Sequence, residues 1–179
     1  LDEKKYGISK MKTLKRIQEL ILESTELLIP RGAVSIPRHE MPQIELEDYP
    51  KIFEILNQHG ISVTCKKLVG RNLRAAQKEI NKGKVAKWAK SLPKGALQKY
   101  PIVSADFYMV DGNHTWLALL NHNPEIDHIN CYQIGLPLHE LLDFLKSLDL
   151  VTYKTVNEEK SLWPKYDSWD SPFQIMRNT

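Results

Sequence analysis

Cysteine is scarce in this chain. Cys65 and Cys131 are the only two in 179 residues, far apart and each inside a strand-like run. No disulfide framework and no Cys-x-x-Cys metal or redox motif can be built from them, so a reducing compartment is expected. Long apolar runs are missing as well. No uninterrupted stretch approaches the roughly 20 residues that span a bilayer, and the opening LDEKKYGISK lacks the apolar core of a signal peptide. The expectation is a soluble cytoplasmic protein with no membrane partner. The first residue is Leu rather than Met, which suggests a trimmed or partial sequence. Internal repeats and low-complexity tracts are absent too. What remains, at 42% hydrophobic, suffices for one substantial core but not for two, so one domain with appendages is expected.

Acidic residues are nearly absent from one stretch. Residues 66 to 99 hold Lys66, Lys67, Arg71, Arg74, Lys78, Lys82, Lys84, Lys87, Lys90, Lys94 and Lys99 against Glu79 alone, so the segment carries +10 and leaves −7 for the rest. Clustered cations attract phosphate-bearing polyanions at long range. The same run also suits a solvated lysine face with no partner.

Periodicity supplies the elements. Residues 11 to 28 place Met11, Leu14, Ile17, Leu20, Ile21, Leu27 and Leu28 on one helical stripe, ended by Pro30 and Gly32. Residues 33 to 36 suggest a short strand and 49 to 58 a second helix. ISVTCKKLV alternates as a half-buried strand with Ile61, Val63 and Cys65 on its inner face. A loop over 70 to 76, a short helix over 77 to 81 broken at Lys82-Gly83, a helix over 84 to 92 and a linker over 93 to 101 follow. PIVSADFYMV reads as a β-hairpin turning at Ser104-Ala105-Asp106, Trp116 to Leu120 as a buried helix, HINCYQIG as a strand, and PLHELLDFLKSL as an amphipathic helix starting near Pro137. After Leu150, Trp163, Tyr166, Trp169 and Phe173 are punctuated by Pro164 and Pro172, which suggests an extended aromatic arm docked on its own core or on a partner.

Between the hairpin and the buried helix stands MVDGNHTW, residues 109 to 116. A strand that ends in Asp-Gly-Asn-His and becomes a helix exposes unpaired backbone N–H groups at the positive end of the helix dipole, an arrangement suited to anions. Gly112 allows close approach, Asp111 or Asn113 can cap, and His114 can donate to phosphate. A plain helix cap with no ligand explains the same residues. Trp88 and Trp116 fall on apolar helix faces and read as core, and His122 and His128 have no zinc spacing and read as loop residues.

The run IVSADFYMVDGNHTWLALL resembles the central motif of the ParB/sulfiredoxin superfamily, often described as the ParB-like nuclease domain. QKEIN with Lys84-Val85, IGLPLHELL and PRHEMPQI resemble flanking segments of its phage-type members, so the likeness covers roughly residues 34 to 148. It implies a compact α/β (α+β) fold, a mixed sheet with surrounding helices. An N-terminal helical extension (1–33) and an extended C-terminal arm (149–179) then flank the domain. It implies a phosphate or nucleotide site at Gly112, Asn113, His114 and Thr115 with Arg38 and Gln77. The catalytic candidates are His114, Glu40, as a general base or metal ligand brought near the turn, and Asp111, holding Mg²⁺ beside a nucleoside triphosphate; a solvated loop carboxylate explains Glu40 and a helix cap explains Asp111 as well. Lys66, Lys67, Arg71, Arg74, Lys78, Lys84 and Lys87 would then hold a DNA backbone. Thr115 stands where the family commonly carries Arg, removing a bidentate phosphate clamp. Three readings follow: a nucleic-acid-binding protein that could be a metal-dependent nuclease, a nucleotide-dependent phosphotransferase or NTPase, and a non-catalytic phage-type protein whose arm engages a host partner in the host cytoplasm.

Overall fold

A computed structural model describes residues 27–28, 34–91, 99–122, 128–154 and 169–170. Nearly all of the helix expected over 11 to 28, most of the linker and most of the aromatic arm lie outside the described residues. In chain order the elements are α1 (Tyr49–Gln58), β1 (Val63–Val69), β2 (Arg74–Ala75), β3 (Ile80–Asn81), α2 (Lys82–Ser91), β4 (Ile102–Val103), β5 (Tyr108–Asp111), α3 (Asn113–His122), β6 (His128–Ile134), α4 (Leu138–Lys146) and β7 (Trp169–Asp170). Three 3-10 turns, at Arg38–Glu40, Leu46–Asp48 and Gly70–Asn72, join them. Among the described residues no helix is long and apolar enough to cross a membrane.

Five strands form one mixed sheet in the order β1-β6-β4-β5-β2. β1 with β6 and β4 with β5 are antiparallel, while β4 with β6 and β2 with β5 are parallel. Both faces are covered. On one, α1 (Tyr49, Ile52, Leu56) and α4 (Leu138, Leu141, Leu142, Leu145) pack with Ile102, Tyr108, Val110 and Ile134. On the other, Val85 of α2 and Trp116, Leu117, Ala118 and Leu120 of α3 pack with Val103, Met109, Ile129 and Cys131. Alternate residues of β4 and β5 therefore enter opposite layers, and this two-sided burial is why those strands read as continuous apolar runs.

The helices at 49 to 58 and near Pro137, the hairpin and the strand at HINCYQIG stand where periodicity puts them. The hairpin is held by Ser104, whose N–H reaches the Tyr108 carbonyl at 3.0 Å, and Asp106 Oδ1 accepts the Leu138 N–H at 3.0 Å at the start of α4. Five expectations are corrected. The segment 77 to 81 is not a helix: Gln77 bridges Ile36 in parallel and Ile80–Asn81 is β3. The break at Lys82-Gly83 is absent, because Asn81 Oδ1 accepts the Lys84 N–H at 2.8 Å and caps α2, which begins at Lys82 rather than Lys84. The loop over 70 to 76 contains a 3-10 turn and β2, which lies at the edge of the sheet opposite β1. β1 is an edge strand in which Thr64, Cys65, Lys66 and Lys67 are all exposed, so the half-buried alternation fails at Cys65. His122 and His128, expected in loops, instead close α3 and open β6.

Candidate functional site

The turn after β5 works because Gly112 sits at φ +90°, a conformation side chains avoid, with the backbone of Pro101 close by: a Cβ there would lie 3.1 Å from Pro101 Cα. The chain then enters α3 at once, and the Trp116 N–H reaches the Gly112 carbonyl at 2.9 Å. Trp116 is fully buried and donates its indole N–H to the Gly70 carbonyl at 2.9 Å, a core role as expected.

His114, in the first turn of α3, is 7% exposed and meets β3: its Nε2 lies 3.2 Å from the Asn81 backbone N. A ring nitrogen that accepts an N–H carries no proton, so the proton is on Nδ1. Burial first, and then the charges of Lys84 and Arg38, hold the imidazole well below its usual range, so it is neutral at neutral pH. Trp88 of α2 stands edge-on to it at 6.5 Å between centroids, and the Lys84 ammonium lies 4.8 Å from the Trp88 ring centre. The N-termini of α2 and α3 thus converge on one hydrogen bond, flanked by two cations. Asn81 is 1% exposed, and its Nδ2 is a buried donor with no hydrogen-bond partner among the described residues; Asn113, at 5%, leaves Oδ1 likewise unmatched.

The candidate residues separate into two groups. Arg38 is buried and joins the His114 cluster, and its backbone N–H is held by Glu79 Oε2 at 2.8 Å. Gln77 is buried and donates its amide to the Glu79 carbonyl. Asp111 turns elsewhere. Its Oδ2 lies 2.7 Å from Lys99 Nζ and accepts the Tyr49 hydroxyl at 3.3 Å, while Oδ1 takes the Gly112 N–H at 2.9 Å. Burial and Asp111 together raise the Tyr49 phenol. A carboxylate so engaged is a structural anchor for the turn and a poor fit to Mg²⁺. Glu40 is exposed beside His39, with Oε1 3.7 Å from Nε2. Among the described residues no group of three or more His, Cys, Asp or Glu is placed to hold a metal.

The basic residues are divided as well. Lys66 and Lys67 lie on β1 at one edge of the sheet and Arg74 on β2 at the other, with three strands between them at roughly 4.8 Å spacing. Lys66 reaches Gln133 Oε1 at 2.7 Å, and Arg74 lies over the Tyr108 ring at 5.5 Å. Lys84 lies at the His114 cluster. The expected single basic surface is corrected to separate groups, because the chain passes from β1 at one edge of the sheet to β2 at the other. Sequence reasoning also missed Asn81, whose place three residues before Lys84 is an N-cap signal hidden by the assumed break at Gly83. Burial pushes the Cys131 thiol up to about 11, so it is no nucleophile at neutral pH.

Fold and site together define a mixed α/β domain in which two helix N-termini meet at a buried neutral histidine beside Lys84 and Arg38. No family model, curated protein or solved structure matches the chain.

Proposed function

We propose that this protein is a ParB-like, nucleic-acid-directed binding protein that grips a phosphate group where α2 and α3 begin. One observation carries the reading: the Asn81–His114 hydrogen bond brings two positive helix ends together beside Lys84 and Arg38, with the Asn81 Nδ2 donor buried and unmatched among the described residues. Backbone dipoles, guanidinium and ammonium all favour an anion there. Glu79 beside Arg38 offsets part of that charge and suits a ligand held by directed donors rather than by charge alone.

The same geometry speaks for binding over cleavage. The Nε2 lone pair of His114 is already committed to Asn81, Asp111 is committed to Lys99 and Tyr49, and Glu40 is exposed with His39 as its partner. A nuclease that used His114 as a base would have to break the contact joining the two helices. The second reading, a nucleoside triphosphate ligand, is favoured by the division of the basic residues, which suits a compact ligand better than a tracked duplex. Any Mg²⁺ would then arrive on the ligand's own phosphates.

Calorimetric titration of a short DNA duplex, and separately of ATP, CTP, GTP and ADP with Mg²⁺, into the protein and into Lys84→Ala tests both readings. The expected result is binding that falls about tenfold in Lys84→Ala, the scale of one charge-assisted hydrogen bond. Salt-sensitive duplex binding identifies nucleic acid, and saturable nucleotide binding without duplex affinity identifies the second reading. Equal affinities in the two proteins, or no binding of any ligand, defeat the site.

A further inference from the structure

β3 has a second neighbour. Ile80 and Asn81 pair antiparallel with Asp170 and Trp169 of β7, from the C-terminal arm. Asn81 is therefore opposite β7 while it also donates to His114 and caps α2. From the structure we infer that β7 is an autoinhibitory strap: the arm's own backbone occupies β3 at the phosphate site, and the site opens to its ligand when β7 lets go.

Three features support a strap rather than a permanent sheet member. The pairing is two residues long, far below what stands alone, so it opens at little cost. β3 and β7 form a sheet of their own, so losing β7 breaks no backbone pairing of the five-stranded one. The covered residue is Asn81, whose buried Nδ2 has no hydrogen-bond partner among the described residues and would be satisfied by an anion. This inference rests on the phosphate-binding reading. It adds regulation: the apparent affinity is reduced by the fraction of molecules in which the strap is closed.

The test uses the full chain carrying Asp170→Pro, which removes a backbone donor from β7, with Asp170→Ala as the control that keeps it and Trp169→Pro as a second break. Hydrogen exchange over Ile80–Asn81 is measured first without ligand. Both proline variants are expected to exchange faster than the alanine control, and unchanged exchange would overturn the strap. Inorganic pyrophosphate is then titrated by calorimetry. Binding about fivefold tighter in the proline variants is expected if about a fifth of the wild-type molecules are open. Equal or weaker binding in the proline variants overturns the strap and leaves the phosphate site standing. No pyrophosphate binding in any of the proteins overturns both, and the failure is then located in the site.

Discussion

His114 shows how much one side chain's surroundings decide. The sequence offers a histidine after Asp-Gly-Asn, a pattern equally suited to a phosphate donor, a general base or a cap. Burial selects among these: the ring is neutral, its Nε2 is occupied, and Lys84 and Arg38 oppose its protonation. The sign of the pH effect follows. With a folded value below the unfolded value of about 6.5, the unfolded chain takes up a proton that the folded chain refuses, so the neutral site's contribution is intact above about pH 6.5 and is lost as pH falls below it. One such group contributes a slope of at most about 1.4 kcal/mol per pH unit across that window. Urea unfolding at pH 7.5 and pH 5.5 is therefore expected to show a larger loss of stability in the wild-type chain than in His114→Gln. The carboxylates are common to both proteins and cancel in the comparison. Parallel pH profiles would remove His114 from the account. Asp111 teaches the converse lesson: its place in the turn is legible in the sequence, but its orientation toward Lys99 and Tyr49 depends on residues 12 and 62 positions away, which no local pattern reports.

Elements are legible where one periodicity prevails and are lost where backbone partners come from a distance. α1 and α4 carry clear apolar stripes with proline at or beside their starts, and both form where those stripes lie. β2 and β3 are two residues each, too short for any pattern, and exist because β5 and β7 supply their partners. The joint between β5 and α3 is marked in the sequence by Gly112, and glycine geometry permits a controlled test. Gly60 and Gly112 share positive φ, +74° and +90°, but a Cβ at Gly60 meets nothing within 4 Å while one at Gly112 meets Pro101 at 3.0 Å. Gly60→Ala is expected to cost about 1 kcal/mol from backbone strain alone. Gly112→Ala is expected to cost about 2 kcal/mol or more, since Pro101 must also give way. The two urea midpoints measure the difference. Equal losses would mean that Pro101 yields freely and that the turn is not held tightly against it.

At the scale of the whole molecule, the charge pattern seen along the chain is not the pattern seen in space. The +10 segment looks like one patch because its residues are consecutive, yet the chain crosses the sheet within it, from β1 at one edge to β2 at the other. The strand order requires this, since β1 and β2 are consecutive in the chain but stand at opposite edges of the sheet. Long-range attraction depends on the summed field, but a bound phosphate is gripped only by cations within reach. Lys66 and Lys67 on β1 and Lys84 and Lys87 on α2 can therefore be separated experimentally. Reversing Lys66 and Lys67 together to Glu is expected to change duplex affinity less than threefold at about 0.15 M salt. Reversing Lys84 and Lys87 is expected to weaken it about tenfold or more, and to lower the slope of log K against log salt by about 1 for each phosphate no longer neutralised. Fluorescence anisotropy over a salt series reads both quantities. If the two double variants weaken binding alike and with the same slope, the ligand wraps the sheet from edge to edge, and the junction of α2 and α3 is one point of attachment among many rather than the seat of binding.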